Sequence, residues 1–214
     1  MMMSAPNSVA AARKYRALAP GYDVSARFTA DLRARTIALL DLRAGDTVLD
    51  VGCGTGLSFP LVEAVIGASG TLIGVDVSPD MLALAHSRVA GAGWRNVTLI
   101  EAPLEAALMP APLDAVLFNY THDVLRSPAA LENIFRQARG GARVACAGVK
   151  HPPHWLWPFR LYRLLKARPY VTTFEGLDTP WDALVRYVPD LRIVPTLLGT
   201  GYIGHGHYAG PAPA

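Results

Sequence analysis

Cysteine is scarce in this chain, with only Cys53 and Cys146 among 214 residues. Two thiols cannot build a disulfide framework, and their separation suits no zinc site, so no metal is expected. Long apolar runs are also missing. Charged residues or proline interrupt every one well before the ~20 residues that a membrane-spanning helix needs. The opening stretch holds no apolar core of the length a signal peptide requires, so a soluble, cytoplasmic protein is the expectation. Charge is thin: 17% of residues are charged and the net charge is +3, with Arg supplying all but three of the 20 basic residues. Such a mild imbalance gives no reason to expect a nucleic-acid partner. Disorder is excluded by a hydrophobic fraction of 51%, since disordered chains are poor in apolar residues. The length suits one large domain with a single core.

What the chain does have is an alternation of two textures. Apolar runs rich in Val, Leu and Ile recur at Thr47–Val51, Thr71–Val75, Val97–Ile100, Ala115–Phe118 and Arg143–Ala147. Helix signals fall between them. Ser78-Pro79-Asp80 supplies an N-cap, a first-turn proline and an acid, opening a helix from Pro79 to about Ala90 that stops at Gly91-Ala92-Gly93. Ser127-Pro128 repeats the signal for Ala129–Arg139, stopped by Gly140-Gly141. Near-continuous apolar strands alternating with helices imply a parallel sheet covered on both faces, an open α/β architecture. Upstream, Asp31–Leu42 reads as a helix. Downstream, Phe159–Lys166 and Trp181–Tyr187 read as helices, and Arg192–Leu197 and Gly201–Tyr208 as closing strands. A single domain is expected. Within it, residues 1–45 form helical cover, 46–149 the ligand-binding core, 150–190 a lid and acceptor-binding segment, and 191–214 the strands that complete the sheet.

The strongest local signal is Val48-Leu49-Asp50-Val51-Gly52-Cys53-Gly54-Thr55-Gly56, a buried strand running into a glycine-rich turn and then a helix. Glycines there let the backbone approach a ligand closely, and a helix N-terminus favours polar or anionic groups. The dinucleotide pattern G-x-G-x-x-G fails in both registers, because Leu57 or Phe59 stands where its last glycine is required. A P-loop fails for want of Gly-Lys-Ser/Thr. The pattern is instead Asp-x-Gly-x-Gly-x-Gly. One βα unit on, Asp76 closes the second strand, where an acid can accept two hydrogen bonds from a ribose diol.

The segments VLDVGCGTG and GVDVSPDML resemble the first two motifs of class I S-adenosylmethionine-dependent methyltransferases. The nearest group contains the ubiquinone/menaquinone C-methyltransferases and small bacterial phospholipid N-methyltransferases. The resemblance implies a Rossmann-like, open, mostly parallel seven-stranded sheet with helices on both faces, and S-adenosyl-L-methionine as cofactor. It implies that Gly52, Gly54 and Gly56 pass the methionine moiety, that Asp76 holds the ribose, and that Asp50 orients the loop and the amino group. Tyr15 and Tyr22-Asp23 fall where such proteins carry an N-terminal element closing over the cofactor. One departure stands out. Where the family has an acid for the adenine amino group, this chain has Pro103, which offers neither a side-chain acceptor nor a backbone donor. The backbone of Leu104, or Glu101 or Glu105, would then read the adenine.

Methyl transfer asks the protein chiefly to align a nucleophile with the methyl group; a base is needed only when the acceptor must lose a proton. The carboxyl end of the fourth strand, Asn119-Tyr120-Thr121-His122-Asp123, is where ligands gather in open α/β sheets. Asn119 is assigned to the cofactor and Tyr120 to acceptor contact. His122 is the candidate base, since histidine exchanges protons near neutrality; beginning a helix is its alternative role. His151, Trp155 and Trp157 are assigned to the acceptor. His205 and His207 share one face of a strand, without a third metal ligand, and read as ordinary strand residues; Cys53 reads as a small loop filler. Between Lys150 and Arg168 lie five basic residues interleaved with aromatics, and no acid occurs before Glu175. That composition suits a lid over the acceptor, or contact with anionic lipid. The expected reaction is methylation of a small, fairly apolar acceptor. Alternatives are a phospholipid headgroup or quinone methylated at the membrane surface, with peripheral but not transmembrane contact, or a cyclase using the same cofactor. Oligomeric state is left open.

Overall fold

A computed structural model describes residues 29–151 and 176–211. Its elements, in chain order, are α1 (Ala30–Ala38), β1 (Thr47–Val51), α2 (Phe59–Ile66), β2 (Thr71–Asp76), α3 (Pro79–Ala92), β3 (Val97–Glu101), β4 (Leu113–Asn119), α4 (His122–Leu125), α5 (Pro128–Arg136), β5 (Ala138–Val149), β6 (Arg192–Thr196) and β7 (Gly201–His207). The strands form one seven-stranded sheet in the order β3-β2-β1-β4-β5-β7-β6. β1 to β5 pair in parallel, whereas β7 pairs antiparallel with both β5 and β6. Only β7 is therefore reversed, and β6 points the same way as β1. The expected Rossmann-like, mostly parallel sheet is what the chain forms.

Strand alternation divides the core between two layers. Val48, Leu72, Ala115 and Leu117 face one side, where Ile37 of α1, Phe59, Val62 and Ile66 of α2, and Leu82 and Ala85 of α3 cover them. Leu49, Val51, Ile73, Val75, Val116 and Phe118 face the other, beneath Leu131, Ile134 and Phe135 of α5 and a C-terminal group that includes Leu184, Val188 and Tyr208. All five residues of β1 are buried, which its central position requires.

The local signals for α3 hold. Ser78 accepts the Met81 N–H at 3.4 Å, Pro79 opens the helix, and Gly93 ends it in the left-handed conformation (φ 71°). The helix runs through Gly91 to that cap. Other boundaries differ from expectation for identifiable reasons. The helix expected over Ala129–Arg139 ends at Arg136, and β5 begins already at Ala138. Gly140-Gly141 belongs to that strand, beside a register shift in its pairing with β4. Arg143 is drawn into the sheet's amino end, where it pairs with Asp46 at 2.8 Å. The helix expected over Asp31–Leu42 spans Ala30–Ala38, and the chain turns at Asp41 with φ 46°. The helix expected over Trp181–Tyr187 is reduced to a 3-10 turn, Leu184–Arg186. Pro189 follows closely, and packing claims the side chains instead: Tyr187 stacks on Phe135 with ring centroids 4.6 Å apart, and Trp181 meets Tyr202 edge-on. β6 stops at Thr196 because Leu197 and Leu198 both take positive φ.

The order places β2 on one side of β1 and β4 on the other. The connections thus reverse direction beside β1, and the crevice at such a switch point is where open α/β sheets bind ligands. Among the described residues, no helix is long and apolar enough to cross a membrane.

Candidate active site

The turn after β1 owes its shape to its three glycines. Gly52, Gly54 and Gly56 have φ of 59°, 56° and 75°, conformations that a side chain disfavours. Two of them are also sterically closed. A Cβ on Gly52 would stand 2.7 Å from Cγ2 of Thr121, and one on Gly56 would stand 2.6 Å from the Phe59 ring. Gly54 differs, because a Cβ there would meet nothing within 4 Å. The loop is held against its neighbours by Cys53 N–H donating to the Val75 carbonyl (3.0 Å) and by Arg88 Nε of α3 donating to the Thr55 carbonyl (2.9 Å). Cys53 is buried and its thiol is pushed up by that burial, so it fills space rather than acting as a thiolate.

Two carboxylates flank this loop. Asp76 ends β2; its Oδ2 accepts the Gly54 N–H at 2.8 Å and its Oδ1 the Ser78 N–H at 2.9 Å. One side chain thereby ties the glycine loop to the start of α3. Burial raises its proton affinity, and these backbone donors counter that rise. Asp50 is the penultimate residue of β1, on the α1–α3 side and 2% exposed. Burial raises its pKa to about 7; a hydrogen bond with Ser58 and the Arg33 guanidinium oppose the rise, and the Asp76 charge adds to it. Its Oδ2 is buried without a hydrogen-bond partner. A buried acceptor left open costs free energy unless something else fills it.

The end of β4 faces the loop. Asn119 lies on the same sheet face as Asp50 by alternation from Ala115 and Leu117, and both polar atoms of its amide are buried with no partner among the described residues. Tyr120 takes φ 60°, an uncommon conformation for an aromatic residue. Its N–H donates to the Ala147 carbonyl at 2.8 Å, and its ring packs against Leu32, Ala147 and Ile203. Thr121 closes over Gly52, with Oγ1 buried and unpartnered. His122 opens the short helix α4, with Asp123 in its first turn.

The structure thus gathers Asp50, Gly52, Gly54, Gly56, Asp76, Asn119, Tyr120 and His122 at the carboxyl ends of β1, β2 and β4. Leu104 is buried in the core, and its carbonyl accepts the Asn133 amide at 2.7 Å. Glu105 is engaged by the Ser127 hydroxyl at 2.7 Å, while Glu101 ends β3 exposed, in register with Asp76. His151 follows β5 and donates its N–H to the Leu177 carbonyl at 2.9 Å. His207 is exposed at the sheet's other end and pairs with Asp190 at 2.9 Å. Tyr15, Tyr22, Trp155 and Trp157, and most of the expected lid, lie outside the described residues. Among the described residues no cluster of three metal-ligating side chains occurs. Four contributors escaped the sequence reading: Arg33, Ser58, Arg88 and Thr121. Ser58 precedes Phe59-Pro60 and carried a helix-start signal, and Thr121 sits between two residues that were singled out. Arg33 and Arg88 act through folding alone and left no local mark.

These features fit S-adenosylmethionine. An open glycine, an unsatisfied buried carboxylate oxygen and an unsatisfied amide stand at the carboxyl ends of neighbouring strands, groups that suit a ligand with an ammonium group and hydrogen-bonding edges. Residues 48–141 match the family described as a methyltransferase domain. A demethylmenaquinone methyltransferase of Lactococcus lactis is 34% identical over 140 residues, covering 61% of this chain and 53% of that protein. The chain spans about half the length of the curated relatives it matches. Among solved structures, a methyltransferase dependent on the same cofactor from Aquifex aeolicus has a TM-score of 0.56 at 20% identity, covering 82% of this chain and 89% of that one. The N-methyltransferase NodS of Bradyrhizobium japonicum, solved with S-adenosylhomocysteine, has a TM-score of 0.59 at 14% identity, covering 85% and 88%. At such identities the likeness to solved structures concerns the fold.

Proposed function

We propose that the protein is a class I S-adenosylmethionine-dependent methyltransferase, as the match of residues 48–141 to the methyltransferase domain family supports, and that it methylates a small, fairly apolar, quinone-like acceptor. The acceptor class is supported by the demethylmenaquinone methyltransferases among the relatives. The single observation that carries the cofactor half of the reading is the pairing of the open Gly54 with Asp76, whose two oxygens fasten loop and helix. A carboxylate oxygen has two acceptor sites, so Asp76 keeps capacity for a ribose diol after taking those backbone donors.

When bound, the cofactor supplies an electrophilic methyl group on a sulfonium with a good leaving group. The chain's own residues bind and orient. Asp50 accepts from the α-ammonium through its open Oδ2. Asn119 offers both a donor and an acceptor from the end of β4, and Leu104, whose carbonyl is engaged by Asn133, offers its N–H to the adenine in place of the acid missing at Pro103. On the acceptor side Tyr120 packs against the substrate, and His122 takes a proton from an ionising acceptor. His151, which follows β5, is assigned to the acceptor.

The test combines calorimetry with product analysis. S-adenosylmethionine is expected to bind, NAD is not, and turnover with a demethylated naphthoquinone releases S-adenosylhomocysteine. Asp76→Ala is expected to weaken cofactor binding by roughly 1–3 kcal/mol, the size of lost hydrogen bonds. Tight NAD binding in place of S-adenosylmethionine, or methylthioadenosine as the product, overturns the reading.

A further inference from the structure

The connection between β6 and β7 combines two costs. Leu197 and Leu198 hold φ of 50° and 55°, a left-handed pair that is strained for residues other than glycine. Neither side chain recovers that cost by burial, since Leu197 is 50% exposed and Leu198 80%. Glycine or asparagine would make the same turn without the strain or the exposed apolar surface. Leu197 lies half over buried Gly201, whereas Leu198 stands almost wholly outward.

Their position gives them a use. β6 runs parallel to β1, and Gly201 at the start of β7 pairs with Val149 at the end of β5. The leucine turn therefore projects from the same end of the sheet as the glycine loop, roughly 14 Å from β4 at the usual strand spacing. Beside it the Lys150 N–H donates to the Thr200 carbonyl at 2.9 Å, and the Lys150 ammonium lies 6.0 Å from the centre of the half-buried Trp181 ring. Exposed aliphatic tips with a Trp and a cation close by in the fold are the residue types that a bilayer surface takes up. The Lys150 ammonium at that end of the sheet complements anionic lipid.

We propose that Leu197 and Leu198 form a membrane-docking tip that inserts into an anionic bilayer, anchored by Lys150 and Trp181, and turns the carboxyl end of the sheet toward the lipid. This rests on the proposed apolar acceptor, which would be delivered from the membrane.

The test is co-sedimentation of the full chain with phosphatidylcholine vesicles containing about one-quarter phosphatidylglycerol, and with phosphatidylcholine alone, at low and moderate salt. The protein is expected to bind the anionic vesicles, more weakly as salt rises. The double variant Leu197→Asn/Leu198→Asn removes the apolar tip while keeping a residue tolerant of the left-handed turn. Its vesicle partitioning is expected to fall roughly tenfold or more, with thermal stability unchanged or raised and S-adenosylmethionine affinity unchanged. No binding of the unaltered protein to anionic vesicles at low salt, or equal binding by the double variant, overturns the proposal. So does a shift of the free protein to a smaller sedimenting species in that variant, which assigns the leucines to self-association. Cofactor binding and S-adenosylhomocysteine release in solution are measured separately, so a failure of the docking tip and a failure of the methyltransferase reading give different results.

Discussion

The two halves of the sheet's carboxyl end are built differently. At β1 and β2 the loop is fastened within the protein: Asp76 takes two backbone donors, Arg88 donates to the loop carbonyl, and two glycines fit closely against Thr121 and Phe59, with Oδ2 of Asp50 left as the open acceptor. At β4 and beyond, Asn119 and Thr121 keep buried polar atoms without partners, and Tyr120, Leu197 and Leu198 hold uncommon backbone conformations. The first half is preorganised, so a cofactor meets a loop already in shape. The second carries unmet valences and uncommon backbone conformations, features that cluster at ligand sites. On the proposed reading the preorganised loop grips the cofactor, Asn119 completes that grip from the end of β4, and Tyr120 and His122 serve the acceptor.

Gly52 should give the largest effect, because it is where the two halves touch. Gly52→Ala forces a side chain onto φ 59° and into Thr121 Cγ2 at 2.7 Å. Cofactor affinity is expected to fall by about a hundredfold or more by calorimetry, the backbone penalty alone being roughly 1–2 kcal/mol. The double variant Gly52→Ala/Thr121→Ser lacks the obstructing methyl and should recover part of the loss. An unchanged affinity in the single variant would show that the loop is pliable and erase the contrast between the halves.

How legible this was depends on the distance over which each feature is determined. The glycine loop, Asp76 and the cap of α3 are set within a few residues, where residue type constrains backbone directly, and the sequence revealed them. The sheet's parallel core was equally readable, because strands buried on both faces are apolar along their length. Gly140-Gly141 misled because a glycine pair reads alike as a helix stop and as an irregular strand. The 3-10 turn at Leu184–Arg186 misled because packing of Tyr187 on Phe135 overrides local periodicity. Arg33 near Asp50 and Thr121 over Gly52 join residues far apart in sequence, and no local pattern announces them.

The pH dependence of binding sharpens the comparison further. With its pKa raised from 3.8 to about 7, Asp50 holds its proton in the folded protein while the unfolded chain has lost its own. Its contribution to stability without cofactor is fully present below about pH 4, fades as pH rises toward 7, and is absent above. A cofactor ammonium favours the carboxylate, so affinity should strengthen as pH rises through that window and level off beyond it. Binding near pH 6 should release up to about one proton, read from calorimetry in buffers of different ionisation enthalpy. Asp50→Asn should flatten the profile and abolish the release. A slope that survives in Asp50→Asn places the titrating group elsewhere.

Asn119 gives the smallest expected change in stability and the cleanest separation of fold from function. A side chain that serves packing is missed when it is removed. A buried amide with neither atom paired returns little hydrogen-bond energy to the fold, and truncating it removes a desolvated group at the cost of a small void. Asn119→Ala should therefore shift stability by no more than about 1 kcal/mol, a few degrees in melting temperature for a chain of this size. Its cofactor affinity should nevertheless fall roughly tenfold, since the amide finds partners only when the crevice is filled. A large loss of stability with unchanged affinity would make Asn119 a structural residue and return the end of β4 to the fold. The expected result instead assigns its unsatisfied groups to ligand recognition.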